Sequence, residues 1–245
     1  MTPRIVSREE WLQARLALLD REREATHLRD AVNAERRALP WVRVEEAYVF
    51  DTPQGTATLA DLFDGRSQLV VQHFMLPPGG PICDGCAGAA DMVDAARQHF
   101  EQADLSYAAV SRAPVDEIEA ARRRLGWTFR WVSCGGNSFN HDYGTAFTPE
   151  QIAAGAVSYN YGTTAYAHTD LPGYSVFARG ADGAVFHTYS TYSRGTELVF
   201  TPFALLDMVP KGRNEAEGTM SWLRLHDEYD PGSTKACCHG TAAAE

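Results

Sequence analysis

The sequence predicts an α/β fold in which a mixed central sheet is flanked by helices, and three observations support this. Apolar runs of strand length alternate with segments of helix length through the middle of the chain. The first of these strands leads through a proline- and glycine-rich loop to two cysteines, Cys83 and Cys86, at the start of a helix. A hairpin pattern with a turn at 181–183 follows later in the chain. The predicted core elements are strands at 68–75, 105–110 and 129–132, helices at 87–100 and 115–125, and hairpin strands at 171–177 and 184–192.

Length and composition indicate one large globular domain, or one domain with an extension. The 245 residues are 44% hydrophobic and 22% charged, which is ordinary for a soluble protein. The net charge of −10 argues against a nucleic acid or an anionic membrane as partner, because both attract basic surfaces. Residues 1–20 lack the apolar segment of a signal peptide, and no uncharged run reaches the roughly 18 residues of a membrane span. We therefore expect a cytoplasmic protein.

A long amphipathic helix is predicted over residues 8–37. Ser7 and Glu10 fit a capping box, apolar residues recur after them at spacings of three and four, and Pro40 ends the pattern. We expect a structural arm that packs on the rest of the chain or on a second copy, which makes a homodimer through this helix a candidate assembly. The chain thus divides into an N-terminal helical extension at 1–40, a core domain at 41–230 and a flexible tail at 231–245.

Less regular patterns flank the predicted core. Residues 41–50 favour a strand and residues 51–55 a turn. Residues 198–208 favour a helix with Pro202 in its first turn, whereas residues 147–169 show little pattern. These segments are expected to complete the sheet and to cover it.

Cys83 and Cys86, separated by two residues at a helix N-terminus, indicate dithiol chemistry. The positive end of the helix dipole favours a thiolate at Cys83, although the charge of Asp84 opposes its ionisation. Beside a β-α-β pattern, this spacing is typical of a thioredoxin-like redox motif. Cys83 would then attack a substrate disulfide, and Cys86 would resolve the mixed disulfide. The same spacing also occurs as half of a zinc site.

Metal binding is the alternative interpretation of these cysteines. His73, His141 and His187 would add imidazole ligands to Cys83 and Cys86, and such a set suits copper, or less well zinc. Each histidine taken alone is equally compatible with a hydrogen-bonded position in the core. We expect no organic cofactor, because the sequence has no glycine-rich phosphate-binding motif.

Three other positions carry candidate chemistry. Pro172 precedes a predicted hairpin strand, where a thioredoxin fold places a cis-proline beside its cysteines; a trans turn proline is the alternative. The tail residues Cys237, Cys238 and His239 could exchange disulfides with the Cys83 pair, capture a metal ion, or have no role. Cys134, in a glycine-rich loop, is expected to be a bystander, and five cysteines at irregular spacing make no structural disulfide framework.

Eight segments resemble a known family. They are AERRALPWV (34–42), LFDGRSQLVV (62–71), HFM (73–75), VSRAP (110–114), GWTF (126–129), LPGYSVF (171–177), VFHTYSTY (185–192) and HDEY (226–229). Together they resemble the thioredoxin-like family catalogued as domain of unknown function 899. The sequence departs from that family's pattern in the loop at 76–82, at Asp84-Gly85, at His141 and in its tail.

The resemblance implies a thioredoxin fold and a dithiol–disulfide oxidoreductase that acts on a thiol or disulfide of a protein or of a small molecule. In this interpretation Cys83, Cys86 and Pro172 form the catalytic site, and a cellular thiol supplies the electrons. The runner-up is a metalloprotein that uses the same cysteines with nearby histidines. A third class is a non-catalytic binding or assembly module that uses the N-terminal helix.

Overall fold

The computed structural model describes residues 3–163 and 168–229. The chain forms two compact units, Met1–Trp41 and Val42–Glu245. The tail residues Cys237, Cys238 and His239 lie outside the described residues. None of the helices within the described ranges is both long enough and apolar enough to cross a membrane.

The first unit is built on helix α1, Arg8–Arg37. Ser7 Oγ accepts a hydrogen bond from the Glu10 N–H at 3.2 Å, and the Glu10 carboxylate accepts one from the Ser7 N–H at 3.0 Å. This capping box satisfies two of the backbone donors that a helix N-terminus leaves free. The predicted helix and its cap are confirmed, and no residue of α1 is buried.

The second unit is built on a mixed sheet, with eight strands in the described part of the chain. Their order is β1-β8-β7-β4-β5-β6-β2-β3. Strand β4 lies near the centre, where it pairs in parallel with β5 and antiparallel with β7. The strands are β1 (Val42–Arg43), β2 (Val49–Thr52), β3 (Gly55–Thr58), β4 (Gln68–His73), β5 (Leu105–Ser111), β6 (Arg130–Ser133), β7 (Gly173–Arg179) and β8 (Val185–Tyr192).

Helices cover the sheet and connect its parallel strands. The α-helices of this unit are α2 (Asp84–Glu101), α3 (Val115–Arg124), α4 (Phe139–Asp142), α5 (Pro149–Ala153), α6 (Tyr159–Gly162) and α7 (Thr201–Leu206). Short 3₁₀ helices lie at Ala60–Phe63, Ser193–Val199 and His226–Glu228. Because α2 links β4 to its parallel neighbour β5, the cysteines stand at the carboxyl end of a central strand. The predicted α/β, thioredoxin-like fold class is confirmed.

Both faces of the sheet are packed. Side chains alternate between the faces along a strand, so Tyr107 and Ala109 of β5 pack with α2 and α3 on one side. Ala108 and Val110 pack on the other side, in a cluster that includes Phe139. The side chains of neighbouring residues in β4 therefore point to opposite faces of the sheet. Only those on the face covered by α2 can reach the cysteines.

One sequence prediction fails at the edges of the sheet. The strand predicted at 41–50 is two strands, and they lie at opposite sides of the sheet: β1 pairs with β8, whereas β2 pairs with β3 and β6. The turn predicted at 51–55 belongs to the β2–β3 hairpin, where Gly55 adopts a φ of 118° that favours glycine.

The helix predicted at 198–208 is also broken. A 3₁₀ helix ends at Val199, Phe200 has non-helical dihedral angles, and α7 begins at Thr201. Pro202 lies in the first turn of α7, as expected, but its ring and missing N–H prevent a helix from continuing through that turn. The break turns the Phe200 side chain into the core against α2.

Candidate dithiol site

Cys83 is the N-cap of α2. Its backbone is extended, with φ −75° and ψ 119°, and its Sγ accepts a hydrogen bond from the Cys86 N–H at 3.3 Å. Oxygen side chains usually fill this position because free N–H groups point out of a helix N-terminus. A sulfur atom here therefore receives the stabilisation that helix ends give to anions.

The surroundings of Cys83 lower the pKa of its thiol to about 7. The main cause is a hydrogen bond from the Cys86 thiol, and the N–H groups of Cys86 and Gly85 add to it. Burial acts in the opposite direction, and so does the charge of Asp84, as the sequence predicted. A large fraction of Cys83 is therefore thiolate near neutral pH.

Cys86 is the opposite member of the pair. Its side chain is 3% exposed, and its Sγ accepts a hydrogen bond from the Met75 N–H at 3.5 Å. The pKa of the Cys86 thiol is raised well above its usual value, because its proton is held by Cys83 and because burial disfavours the thiolate. Both cysteines are free thiols. The pair thus holds one proton on the inner sulfur and a negative charge on the outer one.

Two buried polar side chains of the sheet hold the first turn of α2, which carries the cysteines. Gln72, on β4, donates from Nε2 to the backbone carbonyl of Cys86 at 3.1 Å. Tyr107, on β5, donates its hydroxyl hydrogen to Gln72 Oε1. The two side chains attach the first turn of α2 to the two central parallel strands. Neither residue was predicted from the sequence, although a glutamine inside an apolar strand is a signal that could have identified Gln72.

A cavity of about 340 Å³ adjoins the cysteines. Cys83, Cys86 and Pro172 line one part of it, whereas Phe200 and Met220 come from the C-terminal segment. That segment approaches α2 closely because the helix has small residues in its first turns. A Cβ atom at Gly88 would lie 2.8 Å from the Phe200 ring, so any larger residue would displace this wall.

Pro172 lines the cavity, as the fold argument predicted, but its peptide bond is trans. No cis peptide occurs among the described residues, so the turn-proline alternative describes the geometry. The Pro172 carbonyl accepts a hydrogen bond from the Tyr159 hydroxyl at 2.6 Å. That contact ties the segment before β7 to α6 at the edge of the cavity.

His73 lies on the opposite face of β4 from Gln72. It is 1% exposed, and its two ring nitrogens contact Asn140 Oδ1 at 2.9 Å and Ser175 Oγ at 2.8 Å. Burial lowers the pKa of His73 to about 4. Because successive strand residues point to opposite faces, His73 is directed away from the cysteines.

The structure does not bring the proposed histidine ligands to the two cysteines. His187 contacts Ser190 Oγ at 2.7 Å, and Ser190 in turn contacts Ser175, the partner of His73. His141 is exposed in α4. Within residues 3–163 and 168–229, no group of three or more His, Cys, Asp or Glu side chains is placed to hold a metal ion. Cys134 is buried apart from the pair, and burial raises the pKa of its thiol to about 12.

Comparison with known sequences places the chain in a family. Residues 1–229 match the family model described as "Bacterial protein of unknown function (DUF899)". The chain belongs to the DUF899 family. The resemblance stated from the sequence motifs is therefore confirmed, and it covers both units of the chain. No curated protein matches the sequence.

Solved structures similar to this DUF899 chain include three of the peroxiredoxin type. Peroxidoxin BcpB from Mycobacterium tuberculosis has a TM-score of 0.47 and 12% identity, over 67% of this chain and 92% of that one. A mutant of peroxiredoxin Q from Xanthomonas campestris has a TM-score of 0.47 and 16% identity, over 69% and 97%. Thioredoxin peroxidase I from Plasmodium yoelii has a TM-score of 0.41 and 13% identity, over 68% and 87%.

Proposed function

We propose that this chain is a thiol–disulfide oxidoreductase that works through Cys83 and Cys86. The observation that carries the proposal is the asymmetry of the pair. Cys83 caps a helix, lines a cavity and has a thiol pKa lowered to about 7, whereas the Cys86 thiol is buried and protonated. A nucleophile near its pKa at neutral pH, with a second thiol beside it, is what thiol–disulfide exchange requires.

The reaction follows from these positions. The Cys83 thiolate attacks one sulfur of a substrate disulfide, the S–S bond breaks, and one thiolate leaves. Cys86 then loses its proton and attacks Cys83 Sγ, which releases the second thiolate and forms the Cys83–Cys86 disulfide. While Cys86 is ionised, the Met75 N–H donates to its sulfur. A cellular thiol would reduce the new disulfide and start the next cycle.

Replacement of Cys83 by serine should abolish turnover of a disulfide substrate, with a loss of at least about a hundredfold, because a hydroxyl is not ionised at neutral pH. Cys86→Ser should instead trap a mixed disulfide at Cys83, visible by mass spectrometry of the intact protein. Cys134→Ser is the matched control and should keep full activity. Stoichiometric copper or zinc that co-purifies with the protein and disappears in Cys83→Ser would instead support the metalloprotein alternative.

The rate of Cys83 alkylation by iodoacetamide should rise with pH through a midpoint near 7, because only the thiolate reacts. Cys86→Ala removes the thiol that donates to Cys83 and should move this midpoint upward. Cys86→Ser keeps an O–H donor and should move it less. Equal midpoints in the three proteins would show that the backbone N–H groups alone set the pKa.

A further inference from the structure

The cavity beside the cysteines has the dimensions of a small-molecule pocket. Its volume of about 340 Å³ lies at the lower end of the range of roughly 300–1,000 Å³ that such pockets show. Much of its wall is apolar, from Ala89, Phe200, Phe203 and Met220. Since Cys86 is buried and Cys83 is only partly exposed, a substrate disulfide must enter this concave space to react.

The charges around the cavity favour a neutral ligand. Among the described residues that line it, Arg194 and Glu197 are the charged ones, and they pair with each other, with Nε 2.9 Å from Oε1. Arg213 pairs both with Glu197, at 3.0 Å, and with Asp207, at 2.8 Å, so two carboxylates face two guanidinium groups. The pocket therefore offers no uncompensated cation to an anionic substrate, and Asp84 next to Cys83 adds repulsion.

Tyr174 adds an unpaired phenol hydroxyl to the lining of this cavity. It lies on β7, is 6% exposed and lines the cavity together with both cysteines. Its hydroxyl is buried and has no hydrogen-bond partner within the described structure. Such an orphaned group lowers the free energy of unfolding, so a ligand atom that accepts its hydrogen would be favoured.

The Tyr174 hydroxyl acts as a hydrogen-bond donor and not as an acid. Burial raises the pKa of the phenol well above its usual value, and Cys86 raises it further when that thiol is ionised. The group therefore keeps its proton across the physiological range. It can stabilise a negative charge that develops in the cavity without transferring its own proton.

We propose that this cavity binds small neutral disulfides with apolar substituents, and that Tyr174 donates a hydrogen bond to the sulfur that leaves when Cys83 attacks. The proposal rests on the dithiol function above. A bond forms between Cys83 Sγ and one substrate sulfur, the substrate S–S bond breaks, and the departing thiolate takes a proton from water. Cys86 then attacks Cys83 Sγ, the mixed disulfide bond breaks, and the proton of Cys86 passes to the second departing thiolate. One dithiol and one disulfide thus yield one protein disulfide and two small thiols, and dithiothreitol or a cellular thiol reduces the protein again.

Three disulfides of different chemistry test the proposal, with dithiothreitol as reductant. Dipyridyl disulfide is small, aromatic and neutral; dithiobis(nitrobenzoate) is small, aromatic and dianionic; insulin is a folded protein. Each catalysed rate is divided by the rate with dithiothreitol alone, which removes differences in intrinsic reactivity. We expect the acceleration for dipyridyl disulfide to exceed the other two at least about tenfold. Equal accelerations, or a preference for insulin, would overturn the proposal.

Tyr174→Phe tests the donor. With dipyridyl disulfide, kcat should fall about tenfold while KM changes little, because the hydrogen bond strengthens as charge develops. The free energy of unfolding should stay the same or rise, since the variant removes an unpaired buried hydroxyl. Tyr48→Phe, on the opposite face of the sheet, is the matched control and should keep the wild-type kcat.

The two proposals fail in different ways. Turnover that survives in Cys83→Ser would contradict both the proposed oxidoreductase function and this inference. Turnover that requires Cys83 but is unchanged in Tyr174→Phe would leave the function standing and overturn the role of the phenol. If Tyr174→Phe lowers the free energy of unfolding as well as kcat, the residue acts through packing alone.

Discussion

Replacement of His73 by leucine is expected to lower the free energy of unfolding by about 2–4 kcal/mol. Leucine matches much of the buried volume but bonds to neither partner of the imidazole. Asn140 Oδ1, in a residue that is 4% exposed, would lose the His73 ring N–H, and Ser175 would lose the Nε2 acceptor. Urea denaturation of the two proteins measures the difference.

The loss should exceed that of a single hydrogen bond because His73 ends a connected chain of donors. His187 donates to Ser190 at 2.7 Å, the hydroxyls of Ser190 and Ser175 are 2.8 Å apart, and Ser175 is 2.8 Å from His73. With Nδ1–H directed at Asn140, every hydroxyl in this chain can donate in the same direction. Removal of His73 leaves the Ser175 hydroxyl without its acceptor and so disturbs the order of donors along the chain.

His141→Leu is the matched control. Because His141 is exposed, its replacement should change the free energy of unfolding by less than about 0.5 kcal/mol.

The pH dependence of the free energy of unfolding is a second measurement. The folded pKa of His73, about 4, lies below the ordinary value of 6.5, so the unfolded chain takes up a proton first. The contribution of neutral His73 to the free energy of unfolding is therefore fully present above pH 6.5, and it falls by about 3 kcal/mol as the pH decreases toward 4. His187, whose pKa burial also lowers, leaves a smaller slope in His73→Leu, so an unchanged slope would contradict this assignment.

Local patterns account for the parts of the fold that the sequence predicted well. The capping box of Ser7 and Glu10, with Pro40 beyond the last turn, defines the bounds of α1 without any distant contact. The strand, cysteine loop and helix around Cys83 are likewise consecutive in sequence, so their order alone places a thiol at a helix N-terminus. These features depend on residues a few positions apart, which is the range that periodicity and capping rules cover.

Features that depend on distant residues could not be predicted. Gln72 and His73 are neighbours, and a strand must direct them to opposite faces, but only the packing of α2 decides which one meets the cysteines. Phe200 and Met220 reach the cavity from more than a hundred residues beyond Cys83. The run at 41–50 also looked continuous, since nothing local shows that its two ends join opposite edges of the sheet.

Asp170→Ala is expected to lower the free energy of unfolding by about 3–5 kcal/mol. Asp170 is buried and accepts two hydrogen bonds from Arg112, with Nε 2.8 Å from Oδ1 and Nη2 2.5 Å from Oδ2. Alanine would leave the Arg112 guanidinium, whose side chain is 25% exposed, without its counter-ion. Chemical denaturation measures the loss. The double variant with Arg112→Ala should be no less stable than Asp170→Ala alone, because it removes the stranded charge as well.

An exposed pair with the same geometry provides the control. Arg124 donates to both carboxylate oxygens of Asp227, at 2.6 and 3.0 Å, but the two side chains are 45% and 31% exposed. Asp227→Ala should therefore lower the free energy of unfolding far less than Asp170→Ala does. Equal losses in Asp170→Ala and Asp227→Ala would show that burial does not determine the strength of these pairs.

The position of the buried pair extends its effect to the dithiol site. Arg112 directly follows β5, and Asp170 lies two residues before Pro172, so the pair attaches the end of a central strand to the segment that borders the cavity. In Asp170→Ala this segment would lose its side-chain attachment to the end of β5, while its backbone hydrogen bond from Leu171 to the Thr145 carbonyl and the Tyr159 contact to the Pro172 carbonyl would remain. Turnover should therefore fall even at temperatures where the variant remains folded, while the alkylation midpoint of Cys83 stays near pH 7, because the groups that lower that pKa belong to α2 itself. A shifted midpoint would mean that the segment before β7 also tunes the nucleophile.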